Sequence, residues 1–129
     1  MFPRHEAIGP AVWQEVHARI EAIRRDEDVR VLMAVESGSR AWGFPSPDSD
    51  YDIRFVYVRR RDAYLSLSPA RDVIERPIVD EIDLNGWDVR KAIGLMLKSN
   101  AVVSEWIESP IRYDRDQSVR HVSHSIELM

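Results

Sequence analysis

A chain of 129 residues with 44% apolar content is the size of one domain and holds enough apolar side chains for its own core. It has no apolar run of about 18 residues, which excludes a membrane-spanning helix, and its start lacks the basic-then-apolar pattern of a secretory signal. The lack of cysteine excludes disulfides and thiolate zinc sites and fits a cytoplasmic protein; the net charge of -4 argues against nucleic-acid binding through the overall field, though not against a local basic groove.

Gly9-Pro10 opens the first predicted helix, because proline in a first turn gives up an amide that has no helical partner. Val12, Val16, Ile20 and Ile23 then follow helical spacing, with Glu15–Arg19 and Glu21–Arg25 as i, i+4 pairs, and the helix is expected to end near Arg25. Val29 to Val35 is short, apolar and rich in β-branched residues, the pattern of a buried central strand. Ser37-Gly38-Ser39 punctuates its end, and Arg40 to Phe44 reads as a short helical turn closed by Pro45-Ser46-Pro47. Tyr51 to Val58 alternates: Tyr51, Ile53, Phe55 and Tyr57 share one face, and Asp50, Asp52, Arg54 and Val56 the other. Arg59-Arg60-Arg61 is the one basic cluster and reads as a solvated strand end.

Asp72 to Glu75 is expected to form a short strand, and Ile78 to Leu84 a longer one broken by Asn85-Gly86. Val89, Ile93, Met96 and Leu97 predict a helix ending near Ser99-Asn100, and Ala101 to Glu108 a second, stopped by Ser109-Pro110. Beyond Tyr113 the chain turns polar. Residues 1–113 are therefore expected to form the catalytic domain and 114–129 a polar tail, the start of a further helical region. His121 and His124 in that tail have metal-binding spacing but read more simply as polar surface. Trp42, Trp87 and Trp106 could stack on a base, with packing the simpler reading. This order of elements indicates an α/β or α+β domain with a mixed sheet and helices mainly on one side.

The chemistry concentrates in Glu36-Ser-Gly-Ser-Arg-Ala-Trp-Gly43 and Asp48-Ser-Asp-Tyr-Asp52. Gly38 allows close backbone approach by a ligand, Ser39 adds a hydroxyl, and the amides opening the next turn can face a phosphate. Taken alone, this is also what any strand-to-helix turn looks like. Asp50 and Asp52, at i and i+2, project from one face, where their mutual repulsion favours a shared divalent cation. Asp83, on a later strand, is the candidate third carboxylate of a two-metal site, with Glu81 and Asp80 as alternatives.

Gly-Ser followed about ten residues later by Asp-x-Asp resembles the nucleotidyltransferase signature of the DNA polymerase beta superfamily. The string GSRAWGFPSPDSDYDIRFVYV, with IDLNGWDVRKAIGLMLKSN and EWIESPIRY downstream, resembles a bacterial and phage family of nucleotidyltransferases linked by name to RNA repair. That resemblance spans about Val31 to Tyr113 and implies a polymerase beta-like fold. It implies that Gly38 and Ser39 hold a nucleoside triphosphate, with Arg40 adding charge, and that Asp50, Asp52 and Asp83 bind two magnesium ions. An acceptor oxygen, from an RNA end or a protein side chain, would attack the α-phosphorus and release pyrophosphate. The implied alternatives are a nucleotide- or partner-binding module without turnover and an antitoxin-like enzyme that modifies proteins. Family members usually continue into a longer helical C-terminal region, which leaves the activity of this short chain by itself an open expectation.

Overall fold

The computed structural model describes residues 3–43, 50–68, 70–98 and 101–115. In chain order the elements are α1 (Pro10–Glu27), β1 (Val29–Glu36), β2 (Tyr51–Arg59), α2 (Arg61–Tyr64), β3 (Val73–Glu75), β4 (Ile82–Asp88), α3 (Val89–Leu97), α4 (Ala101–Glu108) and β5 (Arg112–Arg115). The strands form one mixed sheet in the order β3-β4-β2-β1-β5; β2 and β4 run parallel and the other neighbours antiparallel.

Pro10 occupies the first turn of α1 as expected, and the helix buries Trp13, Val16, Ile20 and Ile23. It continues through Asp26 and Glu27, expected to be a connection, and ends at Asp28, whose left-handed backbone (φ 51°) lets its amide bond to the Arg24 carbonyl. The buried stripe of α1 packs on Val31, Ala34, Ile53, Phe55, Tyr57 and Leu84. On the other face Ala92 of α3 and Val103 and Trp106 of α4 cover Met33, Val35 and Val56. The mixed α+β, polymerase beta-like class holds, while the helices divide between the two faces of the sheet. Trp87 and Trp106 stack with ring centroids 4.6 Å apart in the second core, the packing reading given to them.

Three expectations for the second half change. Ile78 to Leu84 is not one strand: Val79 and Ile82 bridge across Asp80 and Glu81, whose φ values of 54° and 64° make a tight primed turn. The strand then runs straight through Asn85-Gly86 to Asp88. Gly86 stays in the ladder because the ring of its partner Phe55 occupies its side-chain position; a Cβ there would lie 2.2 Å from Phe55 Cε2. Asp88, which ends the strand, caps α3 by accepting from the Arg90 amide. In α3 Ala92 is buried and Val89 and Met96 of the expected stripe pack against the same core, whereas Ile93 and Leu97 are exposed.

Finally, β5 was missed. It pairs with β1, and its two last residues fall within the segment expected to be tail. Tyr113 is fully buried, His17 Nε2 lies 2.9 Å from the Tyr113 carbonyl, and Arg24 reaches Asp114 at 2.6 Å, so α1 clamps this edge strand. The arginine cluster is drawn into ion pairs with the end of α1, Arg60 with Asp28 at 2.6 Å and Arg59 with Glu27 at 3.8 Å. Among the described residues no helix is long and apolar enough to cross a membrane. Residues 44–49, which include the expected breaker and Asp48, and Asn100, His121 and His124 lie outside the described residues.

Candidate active site

β1 leaves the sheet at Ser37, while β2 begins beside it at Tyr51, so the loop and the acidic strand start from neighbouring points. The Ser37 amide donates to the Asp52 carbonyl at 2.8 Å. Gly38 and Ser39 then open a tight turn, in which the Ala41 amide donates to Gly38 at 3.0 Å and the Trp42 amide to Ser39 at 3.2 Å. Trp42 beside it is half exposed.

Gly38 serves a purpose that local conformation does not reveal. A Cβ at this position would sit 2.2 Å from Asp52 Oδ2, so the carboxylate rests on the bare glycine backbone. The two halves of the sequence motif are in contact. Arg40 lies with its guanidinium 4.0 Å from the centre of the Tyr51 ring, at the same end of β2.

Asp83 stands directly opposite Asp52 in the parallel register of β4 and β2, where neighbouring strands are about 4.8 Å apart. Asp80 and Glu81 are set aside in the turn: Asp80 is exposed and 3.3 Å from Arg19, and the Glu81 carbonyl accepts from the Tyr51 amide at 2.7 Å. Asp50 is exposed just before β2. Burial pushes the Asp52 carboxyl above the usual carboxylate range; Arg54 opposes this, while the negative charges of Asp83 and Asp50 add to it. Among the described residues, however, no three acidic or imidazole groups close around a single point as a finished metal cage.

Sequence reading assigned no role to Arg54, Asn85 or Glu36. Arg54 shares the face of Asp52, bonds to Asp83 Oδ2 at 3.0 Å and comes within 4.0 Å of Asp52 Oδ1. Asn85 donates to Asp83 Oδ1 at 2.8 Å. Both follow from the i+2 alternation once β2 and β4 are known to be neighbours, and that pairing is a tertiary fact. Glu36 is fully buried behind the loop, and burial pushes its carboxyl upward despite hydrogen bonds from the Asp52 amide and the Tyr113 hydroxyl. Its only signal was its place at the end of an apolar run, next to Ser-Gly-Ser.

A mixed sheet with a Gly-Ser turn seated against an acidic strand defines a DNA polymerase beta-type, nucleotidyltransferase-like domain. The chain belongs to the RNA repair pathway DNA polymerase beta family, whose sequence profile matches residues 12–127. It is also similar to the uncharacterized protein YcgL of Bacillus subtilis (strain 168), with 49% identity over 100 residues; the match covers 78% of this chain and 38% of that protein. The chain thus spans well under half the length of this curated relative. No solved structure matches it.

Proposed function

We propose that the chain carries a magnesium-dependent nucleotidyl-transfer centre. An acceptor oxygen attacks the α-phosphorus of a nucleoside triphosphate, the bond from that phosphorus to the bridging oxygen breaks, pyrophosphate leaves, and the acceptor loses its proton. The observation that carries this reading is the seating of the Asp52 carboxylate on Gly38, which puts the Gly-Ser turn and the acidic strand in contact.

In this reading Gly38 and Ser39 receive the phosphates, with the Arg40 charge alongside. Asp50, Asp52 and Asp83 are the cation ligands. Their all-oxygen donor set suits magnesium, and the Arg54 guanidinium between Asp52 and Asp83 indicates that positive charge is favourable there. Bound magnesium would supply charge neutralisation at the triphosphate. The protein's own contribution is to hold these groups in a fixed geometry.

Arg54 also favours a second reading, a nucleotide-binding module without turnover, because its ion pair with Asp83 already satisfies that carboxylate. One experiment separates the two. The chain is incubated with magnesium and each labelled nucleoside triphosphate, with RNA ends and proteins as acceptors, and pyrophosphate release is followed. Transfer is expected in the wild type. Asp52→Ala should lower it by about 10³-fold, roughly 4 kcal/mol of barrier. Triphosphate binding without release would support the binding module, and a folded Asp52→Ala variant with undiminished transfer would sink the metal assignment.

A further inference from the structure

We infer that Glu36 is a positioning residue that fixes the Gly38 turn and Asp52 relative to one another; this rests on the nucleotidyl-transfer reading above. Where β1 peels away to form the turn, β2 loses a backbone acceptor for its Asp52 amide. The Glu36 side chain fills that role, with Oε2 accepting from the Asp52 amide at 2.7 Å. Its other oxygen, Oε1, accepts from the Tyr113 hydroxyl at 3.0 Å. One buried group, two residues before Gly38, thus gathers donors from the acidic strand and edge strand β5.

The backbone of Glu36 is held just as firmly. Its amide donates to the Ile111 carbonyl at 2.9 Å, and its carbonyl accepts from Ser109 Oγ at 2.5 Å. A carboxylate is costly to bury, so its presence needs a reason. Two donors, the Asp52 amide and the Tyr113 hydroxyl, converge on its two oxygens and supply one, because a carboxylate accepts at both. Glutamine has the same shape but a single oxygen, so it can accept from the Asp52 amide only with its NH2 turned to the Tyr113 hydroxyl oxygen. Leucine would leave the Asp52 amide and the Tyr113 hydroxyl unsatisfied in the interior.

Three variants test the inference. Glu36→Gln keeps the volume, Tyr113→Phe removes one donor and leaves Glu36 in place, and Glu36→Ala removes the group. Amide hydrogen exchange is measured at Asp52 against reference amides in the middle of β1 and β2, together with kcat and KM for the triphosphate. In Glu36→Gln, which keeps one acceptor oxygen, exchange at Asp52 should quicken less than in Glu36→Ala, where it should rise about tenfold or more while the reference amides hold. In Glu36→Gln kcat should fall about 10- to 100-fold with KM changed far less, since a shift of about 1 Å in Asp52 suffices for that. Tyr113→Phe should move both readouts in the same direction by a smaller factor, and it covers the case in which Glu36→Ala fails to fold. Unchanged exchange at Asp52 in Glu36→Ala overturns the inference. So does faster exchange with kcat within about threefold of wild type, which is what a purely structural buried acid would give. A wild-type chain inactive with every triphosphate overturns the transfer reading and this role with it; the exchange data distinguish that outcome, since they report the hydrogen bonds independently of turnover.

Discussion

Replacing Gly38 with alanine tests the contact on which the site depends. The added Cβ would lie 2.2 Å from Asp52 Oδ2, 3.0 Å from its Cγ and 3.1 Å from its Cβ. An ordinary contact begins at about 3.4 Å, so the carboxylate oxygen must retreat by about 1.2 Å or the turn must move by as much. The Asp52 backbone is tied, its amide to Glu36 and its carbonyl to Ser37, so the side chain must rotate off its seat instead. Gly38 does not have a positive φ, so alanine introduces no backbone strain there. The stability cost should be that of a local overpacking, about 1–3 kcal/mol. The chemical cost should be larger, because misplacing a reacting group by about 1 Å costs on the order of 10²-fold in rate, about 2.7 kcal/mol. Pyrophosphate release measures kcat, and circular dichroism with thermal unfolding shows whether the variant is folded. A folded Gly38→Ala protein with kcat within about threefold of wild type would refute the claim that Asp52 works from its seat on this glycine.

Gly86→Ala should destabilise the fold by about 1–3 kcal/mol or more, because its Cβ would be 2.2 Å from the Phe55 ring inside the core; urea unfolding measures it, and an unchanged midpoint would remove the close-packing account of that glycine. Glu36 also predicts a pH dependence. Its folded pKa is raised above the usual 4.5, so the folded state holds the proton more tightly than the unfolded state. Its contribution to stability is therefore full below 4.5 and is lost as pH rises from there through the raised folded value. The wild type should lose stability relative to Glu36→Gln across that window, and parallel curves for the two proteins would contradict it.

The chain's local patterns are legible where period and length agree. Proline and an apolar stripe mark α1, β-branched residues mark β1, and strict alternation assigns the faces of β2, so Asp52 and Arg54 were correctly placed together. Ala101 to Glu108 was likewise readable, bounded by helical composition and Ser-Pro. Asn85-Gly86 misled because the same dipeptide that favours a hairpin is tolerated in a strand when a neighbouring ring needs the space, and the ring belongs to Phe55, 31 positions away in sequence. β5 was illegible because four residues carry too little periodicity; they become a strand only by completing the edge of β1.

The candidate site divides the same way. Residue type and spacing alone named Gly38, Ser39, Asp50 and Asp52, because their chemistry is carried by short local motifs, and left the third carboxylate open among Asp83, Glu81 and Asp80. Tertiary structure alone decided that Asp83 stands beside Asp52 while Asp80 and Glu81 turn away, since register is a property of two paired strands. It alone set the Asp52 carboxylate against Gly38 and put Glu36 behind both. A buried acid is recognised by the donors that surround it, and those come from β2 and β5, far from Glu36 in the chain.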